Sequence, residues 1–233
     1  PLQALLHTVA AVACQNSLGR VALVGGIVRD LLLHQSSSSL LDDVPDIDIL
    51  IEGSPDLLIL HLSQSLGFDS IQSVQHYSRY GTISAVINGW PVDLAMARQE
   101  YYPSPGANPV LLPDTLEHDL GRRDFRINSL AFDLLSKELI DPFSGSNDLL
   151  HRNLAFLHEH SVADDPTRII RGARYCSRLG FSMAPLSVRQ VRTTIEEWPW
   201  CIDLNSSDVP SSLSTRLRME LDRLFLFEPW IKA

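Results

Sequence analysis

Two aspartates, Asp46 and Asp48, sit in the run Pro45-Asp46-Ile47-Asp48-Ile49-Leu50-Ile51, downstream of the pair Gly25-Gly26. From Ile47 the run is apolar and β-branched, which predicts a strand, and residues i and i+2 of a strand face the same way. Both carboxylates then project side by side, where like charges repel unless a cation lies between them. A hard divalent ion such as Mg²⁺ takes oxygen ligands and pairs one or two carboxylates with substrate phosphates. Upstream, Val21-Ala22-Leu23-Val24-Gly25-Gly26-Ile27-Val28-Arg29-Asp30 reads as strand, glycine turn and helix. A helix N-terminus behind two glycines offers backbone N–H groups to a phosphate. Each feature alone has a commonplace explanation: a turn for Gly-Gly, a strand edge or loop cap for Asp-x-Asp. In this order, a phosphate cradle followed by a metal-binding pair points to nucleotidyl transfer.

The elements that must position these groups follow from pattern. Helix is predicted over 3–15, strand over 20–25 and helix over 26–33. Strand 46–52 ends at Glu52-Gly53, and Ser54-Pro55 opens a helix to about Leu66, with Ser54 as cap and Pro55 at the first position. Strands follow at 68–75 and 81–88, and Asn88-Gly89 turns the chain into Trp90-Pro91-Val92-Asp93-Leu94-Ala95-Met96. Asp93 on that neighbouring strand is a third carboxylate able to complete a cation's ligand set, although a strand-end acid ordinarily has no special role. Residues 99–114 carry Pro103, Pro105, Gly106, Pro109 and Pro113 and read as a long irregular loop of the kind that serves as a lid or binding loop. Phe125 to Leu130 reads as helical, two short strands follow at 131–136 and 138–141, and the strand pattern ends after about residue 160. Helices at 164–179, 186–197 and 212–227 fill the remainder. The expected fold is α+β: a mixed-sheet head over 1–138 followed by an all-helical neck over 139–233.

Composition narrows the class. The chain has 233 residues, 45% hydrophobic and 20% charged, which suits a globular core. No apolar run is long enough to span a membrane, and Pro1-Leu2-Gln3-Ala4-Leu5 has no basic region of a signal peptide. Cys14, Cys176 and Cys201 are few and widely spaced, which fits reduced thiols in a cytoplasmic protein better than disulfides or zinc. His158-Glu159-His160 reads as a solvated turn. Net charge is −9, which argues against a nucleic-acid partner until it is divided. Residues 1–164 carry −11 and residues 165–233 carry +2. Arg168, Arg171, Arg174 and Arg178 follow one another at helical spacing and share a broad face, either a solvated one or a phosphate track in which Arg174 and Arg178 bind RNA.

The next dense cluster is Gly121-Arg122-Arg123-Asp124-Phe125-Arg126-Ile127-Asn128-Ser129-Leu130-Ala131. Asp141-Pro142-Phe143-Ser144-Gly145 follows, with Asp148-Leu149 and Arg152, and then Asp164-Asp165-Pro166-Thr167-Arg168-Ile169-Ile170-Arg171-Gly172-Ala173-Arg174-Tyr175. With the glycine and aspartate motifs upstream, this ordered set resembles the family of tRNA nucleotidyltransferases (CCA-adding enzymes) and bacterial poly(A) polymerases. The resemblance covers nearly all of residues 20–227.

The resemblance implies a role for each matching position. Asp46 and Asp48, with Asp93, match the catalytic carboxylates; Asp46 and Asp48 would hold Mg²⁺, which activates the RNA 3′-hydroxyl and stabilises charge on the α-phosphate and leaving pyrophosphate. Gly25, Gly26, Arg29 and Asp30 match the first motif, in which the glycines admit the triphosphate and Arg29 neutralises it. Arg122, Arg123, Asp124 and Asn128 match the nucleotide-binding motif, with arginine forks suited to phosphate and Asp and Asn suited to ribose hydroxyls. Asp141 and Gly145 match a motif linked to head–neck movement. Asp165 and Arg168, three apart and expected on one helix face, match the base-reading pair, followed by Arg171. Asp accepts from the amino group that cytosine and adenine share, and Arg donates to the same edge, so side chains choose CTP and ATP without a template.

Some positions depart from the family pattern. Asp164 stands where the family usually has Glu, Arg126 where Thr is common, and Thr215-Arg216 where Glu-Arg is usual. The absent initiator Met and the end at Ala233 predict a chain truncated before the helical body and tail. The implied partners are the tRNA 3′ end, CTP and ATP, with no membrane and no protein partner. Poly(A) polymerase, CC-only addition and A-only addition remain alternatives, with a non-catalytic RNA-binding remnant as the reading from another class. The region 99–114, where the resemblance puts the flexible element for adding A, weighs mildly against CC-only addition.

Overall fold

A computed structural model describes residues 2–33, 47–101, 103, 110–197 and 211–227. Asp46, the serine run at 36–39, the Pro-rich centre of the 99–114 region and Cys201 lie outside the described residues. The chain divides into two compact units. One comprises Pro1–Gln99, Leu111–Arg123 and Asn128–Ser146; the other comprises Glu100–Val110, Asp124–Ile127 and Asn147–Ala233.

The first unit is built on a seven-stranded mixed sheet. Helix α1 (Leu2–Gln15) leads into β1 (Val21–Val24), α2 (Gly26–Leu33), β2 (Ile47–Ile51) and α3 (Pro55–Leu66). Then come β3 (Ile71–Tyr77), β4 (Thr82–Ile87), β5 (Trp90–Met96), β6 (Arg98–Tyr101) and β7 (Val110–Pro113), of which Glu100, Tyr101 and Val110 are assigned to the second unit, then α4 (Leu116–Gly121), β8 (Ala131–Asp133) and β9 (Leu139–Ile140). The sheet order is β3-β4-β5-β2-β1-β8-β9. β2 and β5 are parallel, and the remaining neighbours are antiparallel. All four residues of β1 are buried, so its unbroken apolar run reflects cover on both faces. Ala22, Val24, Leu50 and Ala131 pack with Leu116 and Leu120 of α4 and with Ala97, while α1 and α3 pack on each other.

Local sequence rules account for the joints. The Ser54 hydroxyl accepts from Leu57 N–H at 3.3 Å, and Pro55 takes the first helical turn, where it lacks only an N–H that would have no helical partner. Asn88 (φ 50°) and Gly89 (φ 81°) both adopt the left-handed backbone that a two-residue hairpin turn requires. Residues 68–70 form a 3₁₀ turn ahead of β3. The region 99–114 is not irregular throughout: its ends form β6 and β7, which pair as a separate two-stranded ribbon. Phe125–Leu130 is not an α-helix but contains the 3₁₀ turn Arg126–Asn128.

The second unit contains α5 (Gly145–Leu150, whose first two residues belong to the first unit), β10 (Asn153–Leu154), α6 (Ser161–Asp164), α7 (Thr167–Leu179), β11 (Ser182–Met183), α8 (Pro185–Glu197) and α9 (Ser211–Phe227). It is not purely helical, because β10 and β11 pair in parallel. Phe125 explains why Asp124–Ile127 belong here: its ring stacks on Phe156 at 5.0 Å between centroids and meets Tyr175 edge-on at 5.5 Å. A Cβ on Gly172 would lie 2.7 Å from the Met183 methyl and 3.5 Å from the Phe125 ring, so α7 approaches this cluster as only glycine permits. Conversely β9, beyond the expected boundary at 138, pairs with β8 and stays with the sheet. The helix expected over 164–179 is broken at Asp165, whose backbone is extended (φ −141°, ψ 97°). Gly180, left-handed at φ 67°, ends α7.

Candidate active site

In the sheet unit, β1 delivers the chain to Gly25, left-handed at φ 73°, whose N–H donates to Leu130 O at 3.3 Å. A Cβ there would lie 3.1 Å from Arg123 Nη1 and 3.4 Å from Asp48 Oδ2. Gly25 is therefore required twice, by its backbone and by the space it leaves, and it marks the point where the glycine turn, an arginine fork and a strand carboxylate converge. In the parallel pairing of β2 and β5, Asp48 stands opposite Asp93. Parallel partners project to the same face about 4.8 Å apart across the strands. Both aspartates are half-buried, flanked by fully buried Ile47, Ile49, Val92 and Leu94 that point the other way. Two oxygen donors of this kind suit a hard divalent cation. Among the described residues no group of three His, Cys, Asp or Glu is arranged to hold a metal ion.

Arg122 and Arg123 converge on Asp119, a fully buried acid one turn earlier on α4. Arg122 donates through Nε (3.0 Å) and Nη2 (2.7 Å) to Oδ2, and Arg123 through Nη2 (3.2 Å) to Oδ1. Sequence reasoning did not single out Asp119, although its i+3 and i+4 spacing to the two arginines was available as a signal. Arg29 departs from its expected role. It is 3% exposed; Nε and Nη2 donate to the two oxygens of Asp30 at 2.7 and 2.9 Å, and Nη1 donates to Asn128 Oδ1 at 2.8 Å. A fork expected to face a triphosphate thus faces the protein, and the Asn128 oxygen expected at a ribose hydroxyl already accepts from Arg29. Arg123 Nη1 continues the chain to Asn128 O at 3.3 Å. These contacts fasten α2 to the turn after α4, which keeps the Gly25 turn in place.

In the helical unit, α9 meets α7 through ion pairs. Asp124, expected at a ribose, accepts from Phe125 N–H at 2.8 Å and from Arg171 Nε and Nη2 at 2.8 and 2.7 Å. The adjacent Asp124 carboxylate raises the Arg171 pKa further above its ordinary value despite burial, so this guanidinium remains charged at any working pH. Arg171 also lies 3.4 Å from Glu220, which pairs with Arg174 and with Arg223 at 2.9 Å. Arg174, expected on an RNA track, is therefore committed to a buried acid, while Arg178 is exposed. Asp165 does not share a helix face with Arg168. From its extended position it accepts from Thr167 N–H (3.1 Å), Thr167 Oγ1 (2.7 Å) and Arg216 Nη1 (3.2 Å). Arg168 is buried, and its backbone N–H donates to Asp165 O at 3.0 Å. Asp141 accepts from the N–H groups of Gly145 and Ser146, fixing the turn into α5.

Residues 21–155 match the Poly A polymerase head domain, and the chain belongs to that family. Curated relatives refine the neighbourhood. The chain is 38% identical over 174 residues to the CC-adding tRNA nucleotidyltransferase of Deinococcus radiodurans, covering 73% of this chain and 44% of the relative. It is 36% identical over 168 residues to the A-adding tRNA nucleotidyltransferase of Aquifex aeolicus, covering 71% and 19%. Among solved structures, a CCA-adding enzyme in an apo form superposes with a TM-score of 0.81 at 30% identity, over 99% of this chain and 50% of that one. A tRNA nucleotidyltransferase complexed with a primer tRNA and an incoming ATP analogue gives 0.75 at 26% identity, over 96% and 58%. The chain thus spans half or less of the curated relatives it matches. The mixed sheet expected from the sequence is the sheet of the CCA-adding enzyme head. Enzymes of this family generally use a divalent metal ion. Among the described residues no helix is long and apolar enough to cross a membrane.

Proposed function

We propose that this chain carries the catalytic head and the neck of a tRNA nucleotidyltransferase that adds CMP, AMP or both to the tRNA 3′ end without a template, releasing pyrophosphate. The observation that carries this reading is the convergence of Asp48, Asp93, Gly25 and Arg123: two in-line carboxylates beside a glycine turn and a guanidinium. Asp48, Asp93 and Asp46 would hold Mg²⁺, which when bound supplies positive charge to the reacting oxygens. The chain's own part is to orient the triphosphate at the Gly25 turn, to place Arg123 where negative charge develops, and to exclude the wrong bases through Asp165 and Arg168. In the structure Asp165 is held by Thr167 and Arg216, so that last role rests on the resemblance to the family motif. The free thiols of Cys14 and Cys176 accord with a cytoplasmic setting.

Relatives named for A addition, CC addition and multifunctional CCA activity lie at similar identity. Product is therefore the quantity to measure. The protein is incubated with tRNA ending before CCA, at C and at CC, with each labelled triphosphate in turn. Incorporation of C on the first two and A on the third supports CCA addition; C alone or A alone selects the narrower activities. Long A tracts on many RNAs select poly(A) polymerase, and no incorporation with retained RNA binding selects the non-catalytic reading.

A further inference from the structure

Among the described residues Asp119 is the most completely buried acid of the sheet unit, and its surroundings are arranged around its charge. Its carboxylate takes four donors: Arg98 N–H at 3.2 Å, Arg122 Nε at 3.0 Å and Nη2 at 2.7 Å, and Arg123 Nη2 at 3.2 Å. Its 0% exposure contrasts with side-chain exposures of 21% and 18% for the two arginines. The acid is inside and the forks lie at the margin. One carboxylate serves both guanidiniums. Arg123 is held at Nη2 by Asp119 and at Nη1 by Asn128 O, and this second grip leaves Nη1 3.1 Å from where a Gly25 Cβ would stand, beside Asp48 Oδ2. Arg123 Nε is shielded from solvent and makes no hydrogen bond to a described residue, so the fork is gripped through its two Nη groups. A long side chain loses rotamer freedom when it grips a ligand, and an acid that fixes it in advance removes that cost from ligand binding.

We infer that Asp119 is a positioning residue for triphosphate binding: by sharing one buried carboxylate between Arg122 and Arg123, it holds the Arg123 guanidinium over the Gly25 turn. This inference rests on the nucleotidyltransferase reading above, which makes the triphosphate the ligand. Asp119 touches no substrate and acts through Arg123. Its effect must therefore vanish when Arg123 is absent, whereas a purely structural acid would weaken both backgrounds alike.

The test is a double-mutant cycle on the full chain. Mg-ATP and Mg-CTP affinities are measured by calorimetry, without tRNA, for wild type, Asp119→Asn, Arg123→Ala and the double variant, with thermal melts to count folded protein. Asp119→Asn is expected to weaken triphosphate binding about tenfold in the wild-type background, the scale of a charge-assisted hydrogen bond, and less than twofold in the Arg123→Ala background. Equal losses in the two backgrounds overturn the inference. If Asp119→Asn is substantially unfolded, Asp119→Glu, which keeps the charge but displaces it by one methylene, is read in the same cycle with the same criterion. tRNA extension is assayed in parallel. Triphosphate binding that obeys the cycle in a protein that extends no tRNA overturns the functional reading and leaves the positioning role; extension with an additive cycle does the reverse.

Discussion

The two units hold their charged groups by different means. In the sheet unit, Asp48 and Asp93 owe their juxtaposition to backbone: two parallel strands in fixed pairing present them on one face, above a floor of buried aliphatic side chains. In the helical unit, Asp124, Asp165 and Arg171 owe theirs to other side chains, and α9 supplies two of the holders, Arg216 and Glu220, one helical turn apart. A sheet sets geometry before side chains are chosen, so an acid there can be devoted to chemistry. A helix pair sets geometry through the side chains themselves, so the same residues serve folding and recognition together. Substitution of Asp48 or Asp93 should separate activity from stability, and substitution of Asp165 or Glu220 should not.

The sharpest break of that contrast is Asp48→Ala. Incorporation should fall by about a thousandfold, the scale of removing a principal electrostatic group from an active site. The melting temperature without metal should stay the same or rise, because a like-charge pair across neighbouring strands is relieved. A fall in melting temperature matching the loss of activity would put Asp48 in the structural class. Glu220→Gln is the counterpart in the second unit. It leaves Arg171, Arg174 and Arg223 around a neutral amide, and unfolding in urea should show a loss of about 3 kcal/mol. A change within error would mean that these ion pairs are incidental to how α7 and α9 are held.

Asp165→Ala sharpens the comparison, because here recognition and support coincide. Catalytic efficiency for CTP and ATP should drop by about one to two decades, with UTP and GTP losing less, so the CTP/UTP and ATP/GTP ratios narrow. A uniform drop at unchanged ratios would make Asp165 only the anchor of Thr167 and Arg216. The smallest effect belongs to Asp133 at the far side of the sheet. Burial opposes its charge, but the N–H groups of Leu135 and Ser136 together with Arg20 outweigh that and hold the carboxyl below its usual range. A depressed folded pKa contributes stability above the unfolded value of about 3.9 and loses it as pH falls through the folded one. Asp133→Asn should therefore lower the urea midpoint modestly near neutrality and flatten its acid limb, with little change below the folded pKa.

The sheet contrast also explains what could be read in advance. Asp48, Asp93 and Gly25 were legible because strand periodicity and a glycine turn are local, and their meeting follows from strand order. Ser54-Pro55 and Asn88-Gly89 were legible for the same reason. Arg29, Asn128 and Asp124 were assigned to a ligand, yet their polar atoms are engaged with Asp30, with one another and with Arg171. A motif marks which residues matter without showing whether each faces the substrate or steadies a neighbour. The Asp165–Arg168 spacing suggested one helix face, but Asp165-Pro166 interrupts the helix, because the residue before proline avoids helical backbone. Two-residue strands such as β10 and β11 are too short for any period to show.

The pairing of Asp48 with Asp93 carries a consequence for how such a chain tolerates change in length. Between the two aspartates lie a helix, a hairpin and several turns, and residues can be gained or lost there without altering which way either carboxylate points. Within β5 itself, ahead of Asp93, parity rules. Adding one residue there turns the second acid into the hydrophobic layer, where Val92 and Leu94 now lie, and brings one of those aliphatic side chains to the cation's side. Adding two restores the direction but carries the acid a full pleat, about 6.8 Å, along the strand. Lineages of this head should therefore differ freely in the length of the connections on either side of β5 while β5 itself neither lengthens nor shortens.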